Sequence, residues 1–353
     1  MSDQLLPTTV VGSYSVPEWL ERAKTDFHEG RISRTSLNEI YETAIKAALK
    51  DQERAGVDIV SDGELRRDND IDYFLERIPG IELPKLAKVH YYDYYDAAVR
   101  APLPSPSDVE GLQLVRDFQF TREQTDRPIK FSFTGPFSLS KRIRNEAYGD
   151  SEELVLDIAR HLNREARDLA AAGAALLQID EPFLAGYPEA VPLAVKAINI
   201  VVAGVDVEWA LHICYGNRHA RPAWEGHYDF LFPAIMDAGV DQLVLEFARK
   251  GYDDVALFKK YHPPFKLGLG VIDVKSEIVE TPELVASRVD RALAVIDPES
   301  IIVNPDCGLR HLPGKIALAK LRAMNAGAAL VRARVEGLST PLSSRAQTLS
   351  PRA

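Results

Sequence analysis

Short apolar runs recur along the chain, and each one ends abruptly in polar residues or glycine. Runs of about four to eight residues rich in Val, Ile and Leu are typical of buried β-strands. The predicted strands are TTVVGSYS from Thr8, VDIVSDGE from Val57, IKFSFTGP from Ile129, LLQIDEP from Leu176, VEWALHICYG from Val207, QLVLEFA from Gln242, KLGLGVIDVKS from Lys266 and IIVNPDCG from Ile301. Their nearly continuous apolar character favours a parallel sheet that is covered on both faces.

Helical patterns lie between these runs. In the stretches 36–56 and 151–173, apolar residues recur every three or four positions and a glycine follows the last of them. Ser151 with Glu153 also suits the beginning of a helix. Each of these helices leads directly into a predicted strand.

Eight strands that alternate with helices predict an α/β fold, the (β/α)8 TIM barrel, in which functional groups gather at the carboxyl ends of the strands. A doubly wound open sheet is the alternative, but no GxGxxG turn follows the first strand. We expect residues 1–340 to form a single catalytic barrel and residues 341–353 to be a polar tail.

The stretch 66–127 is too long for one helix, so it predicts an insertion between strands two and three. It contains the aromatic run HYYDYYD (residues 90–96), followed by APLPSPSD. We interpret it as a lid over the barrel. The alternative is a surface segment whose tyrosines cover the barrel helices.

Composition narrows the class of protein. The 353 residues are 46% hydrophobic, enough for a full core, and the formal net charge of -10 disfavours nucleic acid or an anionic membrane as a partner. The beginning of the chain lacks the basic and apolar regions of a signal peptide, and no apolar run approaches the roughly 20 residues of a membrane span. Two cysteines are too few for a disulfide framework. These features predict a cytoplasmic protein.

Both cysteines fall at the ends of predicted strands. His212 and Cys214 are separated by one residue, so both side chains project from the same face of an extended strand. Glu246 and Cys307 end two later strands, and a barrel would bring all four side chains to one rim. Each residue alone is common in protein cores, but together they form a tetrahedral zinc set.

The charge of this set indicates its chemistry. Two thiolates and a carboxylate around Zn²⁺ leave a formal charge of -1, so the ion would be a weak Lewis acid. Such an ion can still lower the pKa of an incoming thiol from about 8.5 and keep its sulfur nucleophilic. Water-activating sites more often use neutral histidines.

Several segments carry a resemblance to a known family. TTVVGSYS, SDGELRRDNDIDYF, FTGP, LQIDEP, HICY and NPDCGLR, in this order, closely resemble the cobalamin-independent methionine synthase family, from about Thr8 to about Arg310. NPDCGL and LQIDEP are highly specific. Full-length members carry an additional N-terminal barrel, so the resemblance is to a free-standing core form of the catalytic domain.

The resemblance implies that the same four residues bind zinc. It also implies that Ser13 contacts the carboxylate of homocysteine, while Glu64 and Asp180 hold its ammonium group. Ordinary structural roles are the alternatives. Glu64 could pair with Arg66 or Arg67, and Asp180 could cap the following helix.

The sequence departs from the family at two places. Lys275 stands where the family usually has a histidine that would shuttle a proton, and a lysine is better suited to binding an anion or neutralising a leaving group. Asp306, beside Cys307, could orient a metal ligand or simply form a turn. Residues 137–144 stand in place of an aromatic segment that accompanies folate in the family. Their basic residues, Lys141, Arg142 and Arg144, are interpreted as a solvated helix face; the alternative is a contact for an acidic donor tail or a corrinoid protein.

The predicted function is therefore zinc-dependent methyl transfer to the thiol of homocysteine, with methionine as the product. The donor would be methyltetrahydrofolate or a corrinoid protein. One alternative is a zinc-dependent thiol alkyltransferase of the epoxide:coenzyme M type. The other, from a different class, is a barrel that binds zinc or a thiol without turnover.

Overall fold

The computed structural model describes residues 4–84 and 93–337, and its centre is a parallel sheet. The strands in these ranges are β1 (Ile81–Glu82), β2 (Ala97–Val99), β3 (Lys130–Thr134), β4 (Ile143–Asn145), β5 (Leu176–Asp180), β6 (Glu208–Ile213), β7 (Gln242–Leu245), β8 (Lys266–Ile272) and β9 (Ile301–Pro305). Strands β3, β5, β6, β7, β8 and β9 are neighbours in that order, and every pair is parallel. They correspond to the last six predicted strands.

Two short extended segments, residues 8–9 and 59–60, complete the ring. The parallel bridges that join them to the sheet and to each other are Thr8 to Val303, Thr9 to Ile59 and Val60 to Ile129. They connect β9 to the first predicted strand, the first to the second, and the second to β3. The predicted (β/α)8 barrel is thereby confirmed, and an open doubly wound sheet does not form.

Helices cover the outside of the barrel. They are α1 (Glu18–His28), α2 (Arg34–Ala55), α3 (Asp72–Leu75), α4 (Leu114–Arg122), α5 (Pro136–Ser140), α6 (Ser151–Ala171), α7 (Val191–Val202), α8 (Ala256–Tyr261), α9 (Pro282–Leu293) and α10 (Gly314–Val335). The predicted helices at 36–56 and 151–173 are confirmed as α2 and α6. Helix α6 begins at Ser151 as predicted and is capped by Asp150, whereas α2 begins two residues earlier than predicted and is capped by Ser33. Among the described residues, no helix is both long and apolar enough to cross a membrane.

Side chains alternate between the barrel interior and the helices. A small apolar cluster lies inside the barrel and consists of Val11, Ile59, Leu176, Ala210 and Val244. The larger apolar cluster contains the intervening strand residues and the helices. On β5 and β6, the inward-facing side chain two residues after each member of this cluster is polar instead of apolar. This change marks the end of the barrel at which functional groups gather.

The insertion at 66–127 contains α3, β1, β2 and α4. Its β1 pairs antiparallel with β2, and β2 pairs parallel with β4, which follows α5. The segment with Lys141, Arg142 and Arg144 was interpreted as a helix face, and this is wrong because α5 ends at Ser140 and β4 begins at Ile143. Of the aromatic run at 90–96 only residues 93–96 belong to the described part, and the predicted tail at 341–353 lies outside it.

Candidate active site

Three of the four predicted metal ligands lie together at the carboxyl end of the barrel. The ligand atoms of His212, Cys214 and Cys307 are all within 4.8 Å of one another, and the two sulfur atoms are 3.5 Å apart. His212 lies on β6, Cys214 directly follows this strand, and Cys307 lies just beyond β9. The HxC spacing therefore places both side chains on one face, as the sequence predicts.

The donor atoms of this cluster fit a metal ion. His212 Nδ1 donates to the carbonyl of Val244 at 3.1 Å, which leaves the lone pair of Nε2 unused. Nε2 is buried and has no hydrogen-bond partner among the described residues. The contact with Cys214, together with burial, raises the pKa of Cys307 well above its usual range, and a bound divalent cation would reverse this effect.

Glu246, the fourth predicted ligand, is held by two cations. Its Oε2 lies 2.8 Å from Lys275 Nζ and its Oε1 lies 2.9 Å from Arg249 Nε. The Glu246 side chain is fully buried, and it is not part of the three-residue cluster. The structure thus places Glu246 at the end of β7 as predicted, with one basic side chain on each oxygen and a second lone pair left on each.

Lys275 remains positively charged in this setting. Burial lowers its pKa, but the negative charges of Cys307, Glu246 and Cys214 outweigh that effect and raise the pKa above its ordinary value. A lysine in this state can neutralise negative charge but holds its proton firmly. That Lys275 relays protons poorly stays a prediction.

Asp306 supports the segment that carries Glu246. Its carboxylate accepts hydrogen bonds from the backbone N–H groups of Phe247, Ala248 and Arg249 at 2.8 to 3.0 Å. Burial raises the pKa of Asp306, and these three donors oppose that effect. Asp306 therefore fixes the turn after β7 rather than a turn of its own.

The predicted substrate contacts share one cavity with the metal cluster. This cavity of about 80 Å³ is lined by Val11, Ser13, Glu64, Asp70, Asp180, Pro182, His212, Cys214, Asn217, Cys307, Gly308, Arg310 and His311. A larger cavity of about 970 Å³ lies between α1, α2 and the insertion and includes none of the predicted site residues. Choosing the site by cavity volume alone would therefore have missed the predicted metal ligands and substrate contacts.

The carboxylates of the cavity have defined partners. Glu64 pairs with Arg67 at 3.3 Å, as the structural alternative predicted, and it still lines the cavity. Asp180 accepts a hydrogen bond from Gln178 Nε2 at 2.7 Å, and burial raises its pKa. The helical segments that follow β5 have no side-chain cap, so the alternative role of Asp180 as a helix cap is wrong. The neighbouring Glu181 accepts from two backbone N–H groups at the beginning of the earlier helix α5.

Sequence reasoning missed two charged residues of the site. Asp70 lines the cavity and accepts a hydrogen bond from Tyr94 Oη at 2.9 Å. Lys130 is enclosed within the barrel, and its Nζ has no hydrogen-bond partner among the described atoms. Burial lowers the pKa of Lys130 to about 7, against the opposing charges of Asp180 and Glu64. The sequence signal that could have identified Lys130 is a lysine at an inward-facing position of a predicted buried strand.

The insertion reaches the mouth of the barrel through Tyr94. Its ring centroid lies 6.2 Å from that of Phe183, and the guanidinium groups of Arg142 and Arg218 lie over the ring at 5.0 and 5.4 Å. Lys141 Nζ instead lies over the rings of two aromatic residues at 4.6 and 4.3 Å. Two of the three basic residues after FTGP thus pack on aromatic rings close to the entrance.

Comparison with known proteins agrees with this geometry. A family model described as the catalytic domain of cobalamin-independent synthase matches residues 6–330. Proteins named methionine synthase from Sulfurisphaera tokodaii and Saccharolobus solfataricus are each 38% identical over 331 residues, which is 93% of this chain and 93% and 95% of theirs.

Solved structures give the same result. A B12-independent methionine synthase from Shewanella, in complex with selenomethionine, superposes with a TM-score of 0.82 at 29% identity and covers 94% of this chain and 99% of its own. A putative vitamin-B12-independent methionine synthase from Listeria monocytogenes has a TM-score of 0.74 at 22% identity, over 93% and 99%, and shares the fold. The chain belongs to the cobalamin-independent methionine synthase family, as its catalytic domain, and is a methyltransferase of methionine biosynthesis.

Proposed function

We propose that this methyltransferase is a zinc enzyme in which His212, Cys214 and Cys307 hold the ion, with Glu246 as the fourth ligand. The observation that carries the proposal is the cluster of one unpartnered imidazole nitrogen and two sulfur atoms within 4.8 Å. Imidazole and thiolate donors are the set that zinc prefers in proteins. When bound, the ion supplies positive charge that lowers the pKa of a thiol in the cavity.

The remaining residues bind and orient homocysteine. Glu64 and Asp180 take its ammonium group, and Ser13, which lies against Gly308 beside Cys307, takes its carboxylate. A thiol that bears a sulfonate in place of the amino-acid group would lack the ammonium and would be repelled by these carboxylates, which disfavours the epoxide:coenzyme M alternative. The Shewanella relative with selenomethionine bound supports an amino-acid thioether as the product.

Lys275 balances charge during the transfer. With one imidazole, two thiolates and the Glu246 carboxylate as ligands, a bound Zn²⁺ would leave the site with a formal charge of -1. A substrate thiolate would add a second negative charge, which passes to the leaving group when the sulfur takes the methyl group. Interaction with Cys307 and Cys214 raises the pKa of Lys275. Its ammonium group therefore neutralises the charge of the thiolate or that of the leaving group. Positioning of the thiolate in line with the methyl carbon supplies the rest of the acceleration, and no covalent enzyme intermediate is required.

The donor is proposed to be a methyl-folate or a methyl-corrinoid, and one assay separates these classes. Zinc-reconstituted protein is incubated with homocysteine and either methyltetrahydrofolate or methylcobalamin, and methionine is quantified. Methionine from at least one donor supports the proposal, and the Cys307→Ala variant should lose both zinc and product. If homocysteine binds but neither donor yields methionine, the non-catalytic alternative is favoured.

The cellular setting follows from the same residues. Both cysteines are free thiols in the structure and belong to the proposed metal site. A reducing compartment keeps such thiols available for a metal. We therefore propose that the enzyme works in the cytoplasm.

A further inference from the structure

Arg67 lies directly behind the cavity and is rigidly held. Its residue is 3% exposed, and its guanidinium lies over the rings of Phe74 at 5.1 Å and Phe131 at 5.6 Å. Arg67 Nη2 donates to the carbonyl of Ser132 at 2.7 Å. Aromatic faces and a carbonyl together leave this planar group little freedom to rotate.

The same guanidinium holds one oxygen of Glu64. Glu64 Oε1 lies 3.3 Å from Arg67 Nη1 and accepts a hydrogen bond from Ser132 Oγ at 2.7 Å. Both the hydrogen bond from Ser132 and the ion pair with Arg67 use Oε1, so Oε2 is available to a ligand in the cavity that Glu64 lines. Two donors on one oxygen fix the plane of the carboxylate.

The backbone of Glu64 is also constrained. Its φ of +58° lies in the left-handed region, which a residue with a β-carbon adopts only when its surroundings impose it. Asp62 Oδ1 accepts from the Glu64 N–H at 2.9 Å and stabilises this turn. Backbone strain at a cavity-lining carboxylate indicates a side chain that is held for a purpose.

We infer that Arg67 is a positioning residue that, with Ser132, holds Glu64 so that its second oxygen receives the amino group of the substrate. The inference rests on the proposed function and deepens it, because it names the residues that position the ammonium contact of Glu64. A thiol that carries an α-amino group is preferred over the same thiol without one. Arg67 acts through Glu64 and does not itself touch the substrate.

The test compares homocysteine with 4-mercaptobutanoate, which has the same thiol and carboxylate but no amino group. For each variant, kcat/KM is measured with both thiols and expressed as a preference. Arg67→Lys should reduce the preference about tenfold or more, since a lysine cannot reach Ser132 and Glu64 together, and Glu64→Gln should do the same. The double variant should lose little more than either single one, because both remove one interaction.

Two further variants keep the test decisive. Ser132→Ala removes the other donor to Oε1 and should reduce the preference even if Arg67→Lys folds poorly. Arg66→Lys is the matched control, because that buried guanidinium pairs with Asp117 at 3.2 Å rather than with Glu64 and should leave the preference unchanged. Zinc content should equal that of the wild type in every variant.

The outcomes separate this inference from the proposed function. If Arg67→Lys and Ser132→Ala lower kcat/KM equally for both thiols, the inference is overturned while homocysteine remains the substrate. If the wild-type enzyme shows no preference for homocysteine, the assignment of the ammonium site itself fails.

Discussion

Replacing Lys275 by methionine tests whether the cation beside the metal cluster stabilises the protein by holding Glu246. Lys275 Nζ and Glu246 Oε2 are 2.8 Å apart, and the two side chains are 4% and 0% exposed. Methionine has a similar length and fills the same space without charge. After the replacement, Arg249, 2.9 Å from Oε1, is the remaining cation on this carboxylate.

The expected loss follows from this distance and burial. At an effective dielectric constant of about 20, two unit charges 2.8 Å apart attract each other by about 6 kcal/mol, from which desolvation is subtracted. Removing one partner of a buried pair costs about 3–5 kcal/mol, and the retained Arg249 favours the lower end. A loss of about 3 kcal/mol corresponds to roughly 4 °C in Tm for a chain of this size.

Urea and thermal unfolding of the metal-free and zinc-loaded forms provide the assay. The loss should be smaller with zinc, because the ion supplies a second positive charge near Glu246. The control is Lys266→Met, which breaks a pair with Glu208 at 3.7 Å in which the lysine is 43% exposed, and which should cost less than about 1 kcal/mol. Equal losses for the two variants would refute the assigned role of Lys275.

Three other predictions follow from single contacts. Lys130→Met should be more stable than the wild type at pH 6, and its advantage should fade towards pH 10. The reason is that the pKa of Lys130, about 7 in the folded protein, lies below its ordinary value of 10.5. The destabilisation caused by burying the charged lysine is therefore complete below pH 7 and is relieved between pH 7 and pH 10. Urea midpoints of both proteins across this range check the prediction, and a stability difference that does not change with pH would contradict it. Asp306→Ala should weaken zinc binding about 10-fold to 100-fold in a chelator competition, because three N–H groups beside Glu246 lose their acceptor, and unchanged affinity would exclude this role. Gly12→Ala should fold and bind zinc but lose affinity for homocysteine in calorimetry, since a Cβ there would lie 2.2 Å from Glu64 Oε1; wild-type affinity would show that Glu64 does not contact the ligand.

The barrel could be predicted because burial on both faces leaves a strong apolar signal in each strand. Six of the predicted strands form a continuous parallel sheet, whereas the first two make only short bridges at residues 8–9 and 59–60. The local sequence pattern gave a wrong prediction at residues 141–144, which were interpreted as part of a helix. There, pairing of β4 with β2 in the distant insertion determines the structure, and sequence periodicity does not report such contacts.

The site was predictable where spacing within one strand determines geometry. His212 and Cys214 meet because they are two residues apart, and Cys307 joins them because parallel strands end at the same rim. The pairing of Glu246 with Lys275 could not be predicted, because it depends on the side-chain orientation of two residues that lie 29 positions apart. For the same reason Arg67 was recognised as a partner of Glu64 but not as part of an arrangement with Ser132.

X-ray absorption at the zinc edge, on the reconstituted wild-type protein with and without homocysteine, tests the central claim most directly. The account predicts two sulfur ligands, one imidazole and one carboxylate oxygen without substrate, and a third sulfur when homocysteine is bound. A sulfur count that stays the same on addition of homocysteine, in protein shown to bind it, would contradict activation of the thiol at this centre.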